Sequence, residues 1–266
     1  KSIEDIERTD IIIVPTSGIE VDLKLIENSA LLPWLRKHHA LGAYIAGTCM
    51  GSVYLAEAGL LDGREATTHW AATQDFERRY PKVKWRPDLL ITEDSRLLCS
   101  GGVTSAIDVS LYLVEKLISH DIAVQIAKAL LHPMPRINQS GYAVLPLSPP
   151  HEDARIREVE SYIQKNFRTD LGIESLAEKF GMSGRTFLRR FKAATGRLPG
   201  AYVQAVRVEV AKSMLERDRA SVQTIASHVG YEDVSFFRNI FKRETGMTPA
   251  EYRSHFASMD VRTPDY

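Results

Sequence analysis

Residues 191–202 read FKAATGRLPGAY, and residues 241–252 repeat the pattern as FKRETGMTPAEY. The Phe, Lys, Thr, Gly, Pro and Tyr of this pattern all recur at an offset of 50 residues. Upstream, Ala177 and Gly181 recur as Ala226 and Gly230 at an offset of 49. A pattern that recurs at a fixed period indicates a structural unit that occurs twice in tandem.

The first copy predicts two helices joined by a short turn. Helical spacing forms one apolar face from Ile173, Leu176, Ala177 and Phe180. Gly181 interrupts this helix, and Ser183 is a suitable N-cap for a second helix that directs Phe187 and Phe191 inward. The first copy therefore predicts a helix-turn-helix unit.

The second copy repeats this order. Its first helix has an apolar face formed by Val222, Ile225, Ala226 and Val229. Gly230 and Tyr231 form the turn, and Asp233 is the predicted N-cap of the helix that follows.

The second helix of each unit has a polar and basic outer face. The candidate DNA-contacting residues are Ser183, Arg185, Thr186, Arg189, Arg190, Lys192, Ser235, Arg238, Asn239, Lys242 and Arg243. Such side chains suit DNA because phosphates and the base edges of the major groove present mainly hydrogen-bond acceptors. A single basic helix is more often an ordinary solvated face. Two copies with the same turn glycine and the same aromatic core favour DNA recognition.

Residues 155–256 resemble the AraC/XylS family of transcription regulators. The resemblance rests on Ile225-Ala226, Gly230-Tyr231, Phe236-Phe237, Phe241-Lys242, Gly246, Pro249 and Tyr252-Arg253. It implies that residues 199–216 form one linking helix, which holds both recognition helices against one side of the DNA. Leu188 and Val234 depart from the family pattern, because relatives often have a polar base-reading residue at these outward positions.

The N-terminal half predicts an α/β fold. The apolar run at residues 11–15 is typical of a parallel strand covered on both faces. Further strands are predicted at residues 43–46, 67–70, 89–92 and 96–100, and helices at residues 29–35, 52–61, 71–80 and 103–120. Alternating strands and helices predict a doubly wound sheet.

Gly47-Thr48-Cys49-Met50-Gly51 lies between a predicted strand and a predicted helix. This is a nucleophile-elbow pattern with Cys in place of Ser, and the N-terminus of the following helix favours a thiolate. His69, at the end of a later strand, is a candidate neighbour at the same sheet edge. Gly-rich turns between strands and helices are also common in α/β proteins without catalysis. Cys99 is interpreted as a buried strand cysteine with no role.

Residues 5–132 resemble the flavodoxin-like PfpI domain, a class I glutamine amidotransferase-like fold, found in the GlxA-like branch of the AraC family. The likeness rests on residues 56–63, 66–70, 102–104 and 106–108. It implies an effector sensor without established catalysis, and a domain whose first strand, first helix and catalytic acid are missing from this sequence. The rule for open α/β sheets places a ligand at the strand ends, near Cys49, Met50, His69, Trp70 and Val103. The alternative for His69 and Trp70 is simple core packing.

Composition sets the domain organisation. We expect an effector-sensing domain over residues 1–135, a Pro-rich linker over 136–152, a DNA-binding domain over 153–257 and a flexible tail over 258–266. Residues 1–150 contain 15 basic and 18 acidic side chains, and the remainder contains 19 and 16. This difference is small, so DNA binding is argued from the position of the charges on the helices.

The sequence predicts a ligand-responsive DNA-binding regulator, most simply an activator of metabolic genes. Its partners would be double-stranded DNA, a small effector such as a nitrogenous metabolite, RNA polymerase and a second copy of the chain. Two cysteines, no membrane-length apolar run and no signal peptide indicate the cytoplasm. No cofactor or metal site is predicted. The alternative is a cysteine hydrolase or amidase that uses Cys49 and His69 and carries a DNA-binding attachment.

Overall fold

The computed structural model describes residues 2–16, 18, 20–134, 136–143, 147–217 and 219–257. The chain divides into two compact units, Lys1–Ala143 and Val144–Tyr266. The predicted flexible tail at 258–266 lies outside the described residues, as do Pro135 and residues 144–146 of the predicted linker. The described helices include none that is both long enough and apolar enough to span a membrane.

The N-terminal unit is built on a four-stranded sheet with a small second sheet beside it. The strands are β1 (Ile11–Val14), β2 (Tyr44–Thr48), β3 (Glu65–Ala66), β4 (Lys84–Trp85), β5 (Ile91–Asp94) and β6 (Leu97–Ser100). The main sheet has the order β1-β2-β6-β5, in which β1, β2 and β6 are parallel and β5 is antiparallel to β6. Strands β3 and β4 form a separate parallel pair.

The described residues of this unit form six α-helices around these sheets: α1 (Val21–Glu27), α2 (Leu31–Ala40), α3 (Ser52–Glu57), α4 (Thr73–Arg79), α5 (Ser105–Leu117) and α6 (His120–Ala129). The α/β prediction is therefore confirmed. The single long helix expected over 103–120 is instead two helices, because the chain leaves helical geometry at Ile118 and Ser119 caps a new helix by accepting a hydrogen bond from the Ile122 amide.

Two strand predictions need correction. Strand β1 is covered on one face only by the described residues, since Ile12 and Val14 are buried whereas Ile11 and Ile13 are 40% and 46% exposed. An apolar run alone does not reveal which face of a strand is covered. The strand expected to end at His69 ends at Ala66 and belongs to the small sheet, so His69 lies on a loop.

The C-terminal unit is all-α, as predicted. Its helices are α7 (Ala154–Asn166), α8 (Ile173–Lys179), α9 (Gly184–Thr195), α10 (Pro199–Arg217), α11 (Val222–His228), α12 (Val234–Thr245) and α13 (Pro249–Phe256). Helices α8 and α9 form the first helix-turn-helix unit, and α11 and α12 form the second. Helix α10 is the predicted linking helix.

The repeat in the sequence is a repeat in the packing. In the first unit, the Phe191 and Tyr202 rings lie edge to face with centroids 5.4 Å apart. The Phe241 and Tyr252 rings have the same separation and the same interplanar angle of 83° in the second unit. Gly196 and Gly246 end α9 and α12 in the left-handed conformation, with φ of 73° and 76°. Each unit therefore uses the same aromatic contact and the same helix stop.

Helix α10 belongs to two hydrophobic clusters. Its first half contributes Tyr202, Val203 and Val206 to the core of the first unit. Its second half contributes Val208, Ala211 and Leu215 to the core of the second unit. The two units therefore share one rigid element in place of a flexible connection.

Arg207 lies between these two halves and bonds to both parts of the C-terminal unit. Its guanidinium donates to the Phe167 carbonyl (2.7 Å), the Thr169 carbonyl (3.1 Å) and the Gly230 carbonyl in the second turn (3.1 Å). The same group lies 4.9 Å from the centroid of the Tyr231 ring. Arg207 thus satisfies carbonyls on two chain segments at once.

We predict that Arg207→Met destabilises the C-terminal unit by about 2–4 kcal/mol, because three carbonyls lose a charged donor. Urea unfolding followed by circular dichroism at 222 nm measures the change. Tryptophan fluorescence would not report it, because all three tryptophans lie in the other unit. Arg189→Met, on the exposed face of α9, is the matched control and should leave stability unchanged. Equal stability of the two variants would contradict the role assigned to Arg207.

Candidate functional site

The candidate DNA-reading helices begin at fixed points. The Ser183 hydroxyl caps α9 by accepting a hydrogen bond from the Thr186 amide (3.4 Å). The Asp233 carboxylate caps α12 by accepting from the amides of Ser235 (2.7 Å) and Phe236 (3.2 Å). Both caps agree with the sequence prediction. Each follows a turn whose glycine, Gly181 or Gly230, has a positive φ of 64° or 87°.

The outer face of α9 presents three exposed cations. Arg185, Arg189 and Lys192 are spaced four and three residues apart, so they lie on one side of the helix. The opposite side buries Phe187 and Phe191 completely. Within the described part of the chain, no carboxylate forms an ion pair with these three side chains. They are available to phosphates or base edges.

Helix α12 presents the equivalent face. Ser235, Arg238, Asn239 and Lys242 are exposed, while Phe237 and Phe241 are fully buried. Arg243 is also exposed, but its guanidinium donates to Gln204 (2.7 Å) and Glu244 (2.8 Å).

Arg190 has a partner that the sequence did not reveal. Its guanidinium binds Asp153 through two hydrogen bonds, Nε to Oδ2 at 3.0 Å and Nη2 to Oδ1 at 2.7 Å. Asp153 also caps α7, and the bond from Arg190 lowers the pKa of this carboxyl. The repeat explains the difference, because Arg190 is equivalent to Ile240, which is buried. The structure thus gives Arg190 an intramolecular partner, its contact with a phosphate stays a prediction, and it is not among the side chains proposed to read bases.

Leu188 and Val234 are both partly buried. Val234 packs against the core of the second unit. Leu188 occupies the position equivalent to Arg238, so the two recognition helices carry different side chains at this place.

Cys49 occupies a strained turn at the end of β2. Its φ of 55° is unusual for a residue with a side chain. A Cβ on Gly47 would lie 2.7 Å from the Ser52 Cα, and a Cβ on Gly51 would overlap the Val14 carbonyl. The two glycines are therefore required for the elbow. The Cys49 carbonyl accepts hydrogen bonds from the hydroxyls of Ser52 and Thr68, both at 3.0 Å.

A cleft of about 950 Å³ opens beside the elbow. Four of the five predicted pocket residues line it: Cys49, Met50, His69 and Val103. Trp70 lies next to the cleft, where its ring and the His69 ring have centroids 5.0 Å apart. The lining also includes Val21 and Leu23 of α1, a helix that the sequence reasoning missed because it occupies only two turns.

The cleft wall carries more acidic than basic side chains. Glu20, Asp22 and Asp75 line it together with Arg79, which forms an ion pair with Asp22. The hydrogen bond with Asp22 raises the pKa of the Arg79 guanidinium. These charges were missed from the sequence, because no motif marks residues that meet only through folding.

His69 is poorly placed to act as a base toward Cys49. Burial lowers its pKa, which favours the neutral form that a base requires, so the obstacle is geometric. Its Nδ1 accepts a hydrogen bond from the Ala71 amide (3.1 Å). Among the described residues, no hydrogen bond joins the Cys49 sulfur to His69. Cys99 is fully buried in β6, and burial raises the pKa of its thiol to about 12.

Two family models match the chain. The model described as "DJ-1/PfpI family" matches residues 1–116, and the model described as "Helix-turn-helix domain" matches residues 176–255. The chain is 28% identical over 255 residues to the HTH-type transcriptional regulator CdhR of Pseudomonas aeruginosa, covering 95% of this chain and 74% of CdhR. It is 27% identical over 237 residues to the HTH-type transcriptional regulator GlxA of Rhizobium meliloti, covering 87% of this chain and 72% of GlxA.

A similarity to an enzyme covers less of the chain. Isonitrile hydratase of Pseudomonas putida is 36% identical over 121 residues, which is 45% of this chain and 50% of the enzyme. CdhR and GlxA, which each align along most of the chain, are both named as transcriptional regulators.

Proposed function

We propose that a small molecule in the Cys49 cleft controls the binding of this protein to an operator. The chain belongs to the AraC family of transcription regulators, in the GlxA-like branch that joins a DJ-1/PfpI domain to an AraC-type helix-turn-helix domain. The observation that supports this function best is the pair of equivalent recognition helices, each with a buried aromatic face and an exposed polar face. We take residues 153–257 as the DNA-binding domain. In this role the protein acts on chromosomal DNA in the cytoplasm and recruits RNA polymerase as an activator.

The proposed base-reading residues are Arg185, Arg189, Arg238 and Asn239. Arginine pairs with guanine and asparagine with adenine through two hydrogen bonds each in the major groove. Ser183, Thr186, Lys192, Ser235, Lys242 and Arg243 are proposed to bind phosphates or neighbouring base edges. Two helices on one rigid support would enter successive major grooves about 34 Å apart.

The proposed effector site is the cleft at the elbow. Its shape, its apolar residues and the excess of carboxylates on its wall suit a small molecule that carries an amino or quaternary ammonium group. Cys49, Met50, His69 and Val103 would contact the effector, and Trp70 would support His69.

We further propose that a second copy of the chain covers an apolar face of α5 and α6. Ile118, Ile122, Ile126 and Leu130 are between 37% and 64% exposed, and Ile126 and Leu130 line a groove together with residues of α5. Asp121 and Lys128 lie near opposite ends of α6. Two copies of α6 packed antiparallel would therefore place each aspartate near the lysine of the other copy, which is the self-complementarity that a two-fold interface requires.

The DNA prediction separates reading from positioning. Arg185→Ala and Arg189→Ala should each cost about 1–3 kcal/mol at the selected site and relax base preference at one or two positions. Lys192→Ala should weaken binding to all sequences and lower the salt dependence by about one phosphate contact. Fluorescence anisotropy on a duplex obtained by in vitro selection gives both quantities.

Arg190→Ala is the matched control from the same helix. It should lower the stability of the C-terminal unit and leave the base preference of the folded protein unchanged. If Arg185 and Arg189 variants keep full affinity and the wild-type preference, the first unit does not read bases.

The dimer prediction concerns Ile122 and Ile126. Ile122→Asp and Ile126→Asp should each weaken self-association at least about tenfold, because a buried carboxylate would face an apolar surface. Sedimentation equilibrium measures the change. Leu198→Asp adds the same charge at an exposed leucine of the other unit and should have no effect. An unchanged dissociation constant for both isoleucine variants would exclude this face.

The similarity to isonitrile hydratase and the strained elbow at Cys49 support a second candidate function, that of a cysteine-dependent hydrolase or amidase. Cys49→Ala distinguishes the two. A sensor should keep its thermal shift with the best metabolite from a screen of amino acids and quaternary amines, and should keep its induction of an operator-driven reporter. Cys99→Ala controls for loss of a cysteine. Loss of induction in Cys49→Ala alone, together with consumption of the metabolite by the wild type, would establish the enzyme.

A further inference from the structure

Residues 136–143, which we call the strap, follow α6 and form the end of the N-terminal unit. Composition assigned them to the linker, yet residues 137–139 pack beside residues 88–90, and Ser140–Tyr142 form a short 3-10 helix. The Ile137 carbonyl accepts from the Leu90 amide (2.9 Å), and the Gln139 amide donates to the Asp88 carbonyl (3.0 Å). Asn138 forms an isolated antiparallel bridge with Leu89.

Gln139 is the one residue of the strap whose polar side chain is buried, with 2% exposure. Its Nε2 donates to the Thr67 hydroxyl (3.1 Å), the Thr68 carbonyl (2.9 Å) and the Leu89 carbonyl (3.1 Å). Its Oε1 has no hydrogen-bond partner among the described residues and lies against Gly101, where any Cβ would overlap it. Burying an amide oxygen without a partner costs free energy. The burial of Gln139 at this place therefore calls for an explanation, and its Nε2 contacts provide one.

Those contacts lead directly to the elbow. Thr68 is fully buried, and its hydroxyl donates to the Cys49 carbonyl (3.0 Å). The next residue, His69, lines the cleft. Two hydrogen bonds and one residue therefore separate Gln139 of the strap from the strained backbone of Cys49.

The start of the strap is tied to α5. Arg136 Nε donates to Asp108 Oδ1 (2.9 Å), and a second bond joins its Nη2 to the other carboxylate oxygen. His132 Nε2 also lies 3.1 Å from Asp108 Oδ1. Asp108 is buried, so this ion pair holds the Arg136 side chain away from solvent.

We propose that Gln139 is a positioning residue for the cleft and that the strap couples the cleft to the connection with the DNA-binding unit. The regulatory part of this inference rests on the proposed function of the cleft as an effector site. A molecule that shifts Thr68 and His69 changes the free energy of docking the strap, and by linkage docking changes the affinity of the cleft. Release of the strap would lengthen the connection by eight residues, which reach up to about 28 Å when extended.

The test uses the full chain without DNA or metabolite. Trypsin cleavage after Arg136 reports release of the strap, because the protease needs the Arg136 side chain that Asp108 holds. Alkylation of Cys49 by iodoacetamide reports the elbow, and alkylation of the fully buried Cys99 reports global unfolding. Mass spectrometry follows all three in one sample.

Gln139→Glu removes the donor and places a carboxylate against three oxygens. We expect cleavage after Arg136 to accelerate about tenfold, the factor that corresponds to losing about 1.4 kcal/mol, with Cys49 alkylation at least about threefold faster and Cys99 unchanged. Asn138→Asp is the matched control. It introduces the same charge on the neighbouring residue and keeps the oxygen that accepts from the Ser140 amide (2.6 Å).

Gly101→Ala provides an independent perturbation, because its Cβ would displace the Gln139 amide without changing its chemistry. Gly102→Ala is its control, since the nearest atom to that Cβ is His69 Cδ2 at 3.9 Å. If Gln139→Glu unfolds the protein and so exposes Cys99, the comparison of Gly101→Ala with Gly102→Ala tests the role of Gln139 instead. Finally, wild-type protein carbamidomethylated at Cys49 should be cleaved faster after Arg136, which tests coupling in the opposite direction.

Faster cleavage with unchanged Cys49 alkylation would overturn the positioning role, because the strap would then be released without affecting the elbow. Unchanged cleavage in both Gln139→Glu and Gly101→Ala would show that Gln139 does not hold the strap. Cleavage and alkylation are measured without DNA or metabolite, so these outcomes do not depend on the proposed function. The proposed function is tested separately, by metabolite-dependent binding to the operator.

Discussion

Helix α10 is the element on which the geometry of the DNA-binding unit depends. Its two halves are buried in different hydrophobic clusters, so neither helix-turn-helix unit has a complete core without it. Arg207 adds a directional constraint at the middle of the helix, because its planar guanidinium binds carbonyls on both sides at once. A rigid helix of 19 residues in this position sets the spacing of the two recognition helices without help from DNA.

The two units share a scaffold and differ in what they present. Buried positions are equivalent, as the matching Phe and Tyr contacts show. Exposed positions are not, because Arg185, Leu188 and Arg189 of α9 correspond to Ser235, Arg238 and Asn239 of α12. Packing constrains the inward side chains to fill the same space, whereas the outward ones are free to suit different base pairs. An operator read by this chain should therefore have two unlike half-sites.

Much of this was predictable from the sequence. The 50-residue repeat located both helix-turn-helix units and their caps at Ser183 and Asp233, because helix periodicity and capping are local properties. The elbow at Cys49 was recognisable for the same reason, since its glycines mark a turn. What the sequence did not reveal depended on tertiary contacts: Arg190 reads as a basic surface residue until its partner Asp153 is known, 37 residues away. Gln139 lies in a Pro-rich stretch that composition assigns to a linker, and only the fold shows that it is buried against Thr67, Thr68 and Leu89.

We propose that α10 holds the two recognition helices at a spacing that matches successive major grooves on one face of the DNA. Hydroxyl-radical footprinting of the full chain, on a selected duplex of about 20 base pairs that accommodates one copy, tests it directly. We expect two protected patches about 10 base pairs apart on the same face, with different sequence requirements in each. A single protected patch, or two patches on opposite faces of the duplex, would contradict it.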